Sequence, residues 1–352
     1  MPLMKKSYKI VAIVAVAAVI AAGGFFMVYR SSIGPVSSES NQITFNVAEN
    51  TAPNTILDQL QEQGVIKSSF FSRLLMRQKN LSNIKAGVYI LDSSWSSEEV
   101  LAYINDATNA ESDEVLLTIP EGLWSKDIAA KIEELTNVSA QACLDLWNDE
   151  AFLREMIERY EFLDESILND AYHVKLEGYL YPNSYFIYRN TDAREVTLRL
   201  LDGFDTVYQS LKADIEASDY TVHELVTFAS VVQFESGNPE DMPIIASVFT
   251  NRFKAGMKME SSVTVCYALY DEFKNFQDCE TNPDIESPYN TYLYEGLPVG
   301  PVNNPSIDAL KAVLHPADTD YYYFISDVYG DHQLIPAKTY EEHLANVEKY
   351  LK

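Results

Sequence analysis

Residues 10–29 are an unbroken run of apolar and small side chains, and that run is the first constraint on how this chain can fold. As a helix rising 1.5 Å per residue, it is long enough for a hydrocarbon core about 30 Å thick. Lys5, Lys6 and Lys9 precede it and only Arg30 follows closely. Cations gathered before the run predict a cytoplasmic N-terminus, one pass through the inner membrane and an extracytoplasmic body after residue 30. The small residues Ala21-Ala22-Gly23 also admit signal cleavage. A signal peptide's apolar segment is only about 7–15 residues, however, which favours an uncleaved anchor. No cysteine follows the run closely, which argues against lipoprotein processing.

The 352 residues allow two or three domains, and 47% hydrophobic content fills ordinary cores. A net charge of -26 excludes a sequence-independent grip on nucleic acid, which needs clustered Lys and Arg. Five scattered His and three separated Cys lack ligand spacing, so neither a metal nor another cofactor is expected. Three cysteines in an exported chain leave at least one unpaired. Cys266 and Cys279 are close enough in sequence to bridge, and Cys143 falls in a helix-like stretch where burial is expected.

The stretch Leu176-Glu177-Gly178-Tyr179-Leu180-Tyr181-Pro182-Asn183-Ser184-Tyr185 sets one carboxyl among aromatic rings. Gly178 lets the backbone turn sharply or approach a neighbour closely, and Pro182 stiffens the exit. A carboxyl group stripped of water gains its proton more readily, which makes Glu177 a candidate general acid near neutral pH.

This stretch resembles the signature of the endolytic murein transglycosylases, the MltG or YceG-like family. Further segments in register strengthen the resemblance: 229–236 (Ala-Ser-Val-Val-Gln-Phe-Glu-Ser), 246–253, Gly256-Met257, 287–292 and 296–301. It runs from about residue 43 to the C-terminus. The implied chemistry is lytic cleavage of peptidoglycan glycan strands. Glu177 would act first as acid, then as base on the sugar's own 6-hydroxyl, leaving a 1,6-anhydro-muramoyl end. A nucleophile held in the same molecule supplies high effective concentration, so the second carboxylate of a hydrolytic glycosidase is not needed.

Two positions depart from the family pattern. Gln233-Phe234-Glu235 stands where the family shows E-[KR]-E, keeping only the second acid. At Glu260-Ser261-Ser262-Val263-Thr264-Val265, close to Q-[ST]-D-P-T-V in the family, Ser262 replaces an Asp. Gln233 and Ser262 keep hydrogen-bonding capacity but lose charge. A glycan-binding scaffold with a weak or idle cleft is therefore the alternative to an enzyme. A hydrolase using Glu177 and Glu235 as a pair is a third reading. Asn251 and Arg252 end an apolar helix face, and Glu235 is the expected partner of Arg252, since a buried Arg needs one. Thr264, Tyr181, Tyr289, Asn290 and Tyr292 are expected to support or line the cleft, while His332 and His343 read as surface or packing residues.

The expected fold is α+β: residues 1–30 tip and transmembrane helix, 31–42 linker, 43–107 a LysM-like small α/β module, 108–170 a linking α/β arm, and 171–352 a mixed α/β catalytic domain. The LysM-like module, implied by the resemblance, has strands at 43–47 and 88–91 and helices at 53–63, 69–78 and 96–105. A weak repeat at an offset of about 72 residues relates 47–60 to 119–132. Asn238-Pro239 and Asn304-Pro305 read as helix starts, Gly256 as a helix stop, and Thr339-x-x-Glu342 as a capping box. The resemblance also implies proximity to penicillin-binding synthases and a role in ending nascent strands.

Overall fold

The computed structural model describes residues 2–48, 51–110, 113–327 and 333–351, with side chains described for all of these except 2–15, 18 and 276. The chain is mixed α/β and divides into two compact units, Met1–Asp113 and Glu114–Lys352.

The first unit runs α1 (Pro2–Ser32), β1 (Gln42–Val47), α2 (Pro53–Glu62), α3 (Ser69–Lys79), β2 (Gly87–Asp92) and α4 (Ser97–Ile104), then a 3₁₀ turn at Ala107–Asn109. β1 and β2 pair antiparallel, with Phe45 opposite Tyr89. These two buried rings close on Ile56, Leu57 and Leu60 of α2, Leu75 of α3 and Leu101 of α4. Local chemistry sets the helix ends. Ser68 caps α3, left-handed Asn80 terminates it, and Ser96 with Glu99 forms a capping box on α4. The strands and helices read from the sequence at 43–105 all form. The Ser-rich stretch after α1 is tied to the unit rather than free, with Ile33 on its core and Ser97 N–H donating to the Ile33 carbonyl at 2.8 Å. Among the described residues no helix is long and apolar enough to cross a membrane. The expected span at 10–29 begins among side chains outside the described set.

The second unit begins with β3 (Glu114–Thr118), α5 (Ser125–Leu135), α6 (Ala140–Asn148) and α7 (Glu150–Arg159), a 3₁₀ turn at Glu165–Leu168, and β4 (Ser184–Tyr188). β3 pairs antiparallel with β4. Both units thus run a strand followed by two helices and close an antiparallel pair, but the second inserts α7 and a 3₁₀ turn before its closing strand, so the weak repeat is matched only in its first strand and two helices. After β4 come α8 (Ala193–Ala217), α9 (Val222–Glu235), α10 (Met242–Lys254), α11 (Ser262–Leu269), α12 (Phe276–Thr281), α13 (Ile307–Leu314), the antiparallel pair β5 (Tyr323–Ser326) and β6 (Leu334–Ala337), and α14 (Tyr340–Tyr350). α9 is buried continuously from Leu225 to Gln233, as befits a helix apolar all round. α10, α11 and α13 pack around it, and one core runs from Leu117 to Val313. Cys266 and Cys279 are disulfide-bonded, and Cys143 is free and buried.

Three helix ends differ from the local reading. α10 starts after Asp241, not Asn238, whose amide donates to Asp241 instead. α13 starts after Ser306 rather than Asn304. At α14 Thr339 accepts from Glu342 N–H as expected, but the Glu342 carboxylate takes Lys338 N–H. Gly256, at φ +69°, does end α10.

Gly203 lies inside α8, where Ala would ordinarily gain about 1 kcal/mol. A Cβ there would come within 2.3 Å of Tyr185 Oη, which donates to the Tyr181 carbonyl at 2.7 Å. Gly203→Ala should therefore destabilise by about 1–2 kcal/mol, the usual scale of overpacking. A chemical denaturation midpoint raised above the parent's would contradict this packing.

Candidate active site

Glu177 sits on a tight turn between the 3₁₀ turn at 165–168 and β4. Gly178 there adopts φ +91° and presses its Cα face against α9 and the loop before α13. A Cβ at this position would lie 2.6 Å from Val226 Cγ1 and 2.7 Å from Pro301 Cβ. Glycine is thus required twice over, by conformation and by space. This close approach drives Glu177 inward, to 2% exposure.

Three donors meet its carboxylate. Ser125 N–H donates to Oε1 at 2.9 Å and reaches Oε2 at 3.2 Å. Asn304 Nδ2 donates to Oε1 at 2.8 Å, and Tyr267 Oη donates to Oε2 at 2.8 Å. The Asn304 amide is fixed in orientation, because its Oδ1 accepts from Gly178 N–H and Leu180 N–H. An amide N–H and a carboxamide NH₂ can only donate, whereas a phenol can also accept. Oε1 is therefore held as an acceptor, and a proton on Glu177 belongs on Oε2, facing Tyr267. Burial raises the Glu177 pKa to about 7 against the opposing pull of the Tyr267 and Ser125 hydrogen bonds, with Asp127 adding to the rise.

Aromatic rings gather beside this carboxyl. Trp124 meets Tyr267 edge-on and stacks on Tyr270. His173 stacks between Tyr270 and Tyr289, with ring centroids at 4.4 and 5.4 Å. Lys126 Nζ lies over the Tyr270 ring at 4.1 Å. Tyr270 Oη is buried without a hydrogen-bond partner among the described residues.

Glu235, at the end of α9, faces a different space. Ser261 Oγ donates to it at 2.6 Å, and burial raises its pKa to about 6. It opens on a cavity of about 320 Å³ that Ser262, Tyr292, Tyr323, Tyr340 and His343 help to line. His343, read from the sequence as surface or packing, does pack on Tyr323 and Tyr340 but also forms part of this wall. His332 lies outside the described residues. Ser261 and Tyr267 stand at the two ends of α11, six positions and so about 9 Å apart along the axis. One helix thus carries a hydrogen-bond partner for each carboxylate.

The remaining sequence-predicted residues are placed as follows. Arg252 does not pair with Glu235. Its guanidinium binds Glu260 and the Lys258 carbonyl, and Glu260 takes a left-handed conformation, φ +52°, at the entry to α11. Asn251 donates to the Thr319 and Tyr321 carbonyls. Thr264 bonds Thr291 and the Ser261 carbonyl. Asn290 is fully buried, donating to the Pro283 and Ile285 carbonyls. Gln233 accepts Ser306 N–H at 3.0 Å, at the start of α13. Tyr289 is buried in the ring cluster, whereas Tyr181 and Tyr292 are half-buried. Ser125, Tyr267 and Asn304, the partners of Glu177, carried no sequence signal beyond the Asn-Pro step, which pointed to a helix cap.

Above its pKa of about 7 Glu177 is a buried carboxylate whose hydrogen bonds do not fully offset its lost hydration. Its folded pKa exceeds the unfolded value of 4.5, so its stabilisation is complete below pH 4.5 and lost as pH rises through 7. Glu177→Gln keeps Oε1 against Ser125 and Asn304 and presents its NH₂ to Tyr267. The variant should gain up to about 3 kcal/mol over the parent at pH 8 and nothing at pH 4. Denaturation midpoints at the two pH values check this, and an equal effect at both would contradict it.

Comparison with known proteins adds the family. A model of the YceG-like family matches residues 45–349. An endolytic murein transglycosylase of Streptococcus pneumoniae is 30% identical over 95% of this chain and 63% of its own length, so the chain spans less than two thirds of that relative. One from Bacillus subtilis is 29% identical over 94% of this chain and 91% of its own. The crystal structure of a YceG-like protein from Listeria monocytogenes superposes with a TM-score of 0.61 at 26% identity, covering 87% of this chain and 99% of that one.

Proposed function

This chain belongs to the YceG-like family, and on that premise we propose that it is an endolytic lytic transglycosylase of peptidoglycan whose single acid–base residue is Glu177. The supporting observation is a buried carboxyl with a pKa near 7 and two oxygens with unlike partners. The substrate bond is the β-1,4 link between MurNAc and GlcNAc. Oε2 gives its proton to the glycosidic oxygen as the C1–O bond breaks, and the bonding pair leaves with the GlcNAc oxygen. The carboxylate then takes the 6-hydroxyl proton of the same MurNAc, whose oxygen bonds C1. Glu177 ends protonated, as it began, and no water is consumed. Positioned proton transfer is worth about 10²–10⁴ in rate.

In this reading the pocket of Glu235, Ser262 and Tyr292 receives the glycan, and Tyr270 Oη supplies a free donor near the reacting sugar. Tyr181, Gln233, Asn251, Arg252, Thr264, Tyr289 and Asn290 hold the surrounding walls. Residues 43–107, as a LysM-like module, orient the strand, and 108–170 join it to 171–352 while themselves supplying Ser125 to the Glu177 site. A span at 10–29, N-terminus inside, keeps the body outside the membrane. There it ends nascent strands beside penicillin-binding synthases.

The rival reading is a glycan-binding scaffold. Two observations favour it: Glu177 is only 2% exposed, so a sugar reaches Oε2 only if the neighbouring rings move, and Gln233 and Ser262 are uncharged.

Incubation of the full chain with uncrosslinked peptidoglycan, followed by mass spectrometry, should yield anhydro-muramoyl ends, cut about 10²–10⁴-fold by Glu177→Gln. Reducing ends would point to hydrolysis by Glu177 and Glu235, and glycan binding without cleavage to the scaffold. Because Glu177 must start protonated, kcat/KM should fall about tenfold per pH unit above about pH 7. Tyr267→Phe removes a donor that favours the carboxylate, so this limb should move up by about one pH unit. An unmoved limb in an active Phe variant would remove Tyr267 from the acid's environment.

A further inference from the structure

From residue 63 to residue 91 there is no Asp or Glu, while Lys67, Arg73, Arg77, Lys79 and Lys85 all fall within those bounds. In a chain with net charge -26 this is a local reversal of sign along the sequence, although Arg73 pairs with Asp58 and Lys79 with Glu98. α3 lies at its centre. One side of α3 packs inward through Ser72, Leu75 and Met76. Phe70, Leu74 and Arg77 follow at i, i+4 and i+7 and so share another face. Phe70 is 60% exposed and Leu74 38%, large apolar side chains that the unit's core leaves uncovered. Lys67 and Arg77 are exposed on either side of them.

What stands beside this face is the end of α1. Phe71 packs against Phe25 and edge-on against Tyr29, with centroids at 6.0 and 5.9 Å. Tyr29 Oη donates to Gln78 Oε1 at 3.3 Å. Ile33, one residue past α1, is fixed to the unit's core and to Ser97 N–H. α3 is thus held at the level of the last turns of α1, where Phe26, Met27 and Val28 are themselves more than half exposed.

We propose that α3 is a membrane-contacting helix: Phe70 and Leu74 enter the interfacial layer of an anionic bilayer next to α1, with Lys67 and Arg77 on the lipid headgroups. The inference rests on the reading of residues 10–29 as an anchor. Apolar side chains flanked by cations on one helix face are what an interfacial helix requires, and basic residues favour a surface rich in anionic lipid. Acidic surfaces elsewhere on the chain would be repelled from the same bilayer, so the patch selects which side of the first unit faces it. This contact adds to the anchor by fixing the orientation of the unit on the membrane, which a lone helix does not do.

The test uses the full chain reconstituted in vesicles, carrying an environment-sensitive fluorophore on Phe70→Cys or, as the control, on Glu62→Cys at the exposed end of α2. Cys143 is buried and Cys266 and Cys279 are bonded to each other, so labelling is selective. In phosphatidylglycerol-containing vesicles the label at 70 should shift its emission to the blue and lose intensity to lipids with a shallow quencher. The label at 62 should do neither. An unshifted, unquenched label at 70 in a chain that floats with the vesicles after alkaline extraction would overturn the proposal and leave the face to water or a protein partner. Failure to float would instead sink the anchor reading on which it rests. Equal quenching in purely phosphatidylcholine vesicles would overturn the part given to Lys67 and Arg77. Near-UV circular dichroism matching the parent's confirms that both labelled chains are folded.

Discussion

The second unit depends on one buried carboxamide. Asn304 accepts two backbone N–H groups from the Glu177 turn and donates to the Glu177 carboxylate and to the Leu123 carbonyl. Its own backbone is also joined to the 122–125 loop: its carbonyl accepts Gly122 N–H and its N–H donates to Leu123. Three segments far apart in the chain, before α5, before β4 and before α13, therefore meet at one side chain. A buried polar group left unpaired costs about 1–3 kcal/mol, so each of these bonds resists displacement of the others. The carboxylate inherits its position from this junction.

Glu177 is held in balance between two opposing influences. Removal from water favours the neutral acid, while three donors favour the carboxylate. Either effect alone would leave the group fixed in one state at neutral pH. Together they place its pKa at about 7, where a group can both give and take a proton. The asymmetry of the partners matters as much as the value. Two obligate donors fix one oxygen, and a reversible phenol faces the other.

The two departures from the family pattern look different once placed. Gln233 accepts the N–H of Ser306 at the start of α13, so the amide preserves a helix-end bond while removing a charge. Ser262 opens α11 and lines the cavity of Glu235. Glu177 takes its hydrogen bonds from Ser125, Tyr267 and Asn304 instead. The neutrality of Gln233 and Ser262 bears on the walls of the site, and the acid keeps its own partners.

Much of the first unit was legible in the sequence because its signals are local. The strands read at 43–47 and 88–91 and the helices read at 53–63, 69–78 and 96–105 form there, and the caps that bound α3 and α4 act within a turn of themselves. Glu177 was legible for a similar reason, since Gly178 and the neighbouring rings are adjacent to it. Helix ends depart from the local reading where another partner competes, nearby for Asn238 and Glu342 and distant for Asn304. Asn304 precedes a proline like a cap, yet its amide goes to a buried carboxylate 127 residues away. A cap is worth about 1 kcal/mol, and an unpaired buried charge costs more. Arg252 pairs with Glu260 instead of Glu235, and Glu235 accepts from Ser261. By itself, the sequence determined the strands and helices of residues 43–105, which carboxyl is set among rings, and which two cysteines can bridge. Only the tertiary structure decided that Ser125, Tyr267 and Asn304 converge on that carboxyl and which of its oxygens can hold a proton, because hydrogen bonds between residues 52 to 127 positions apart leave no periodicity or spacing in the chain.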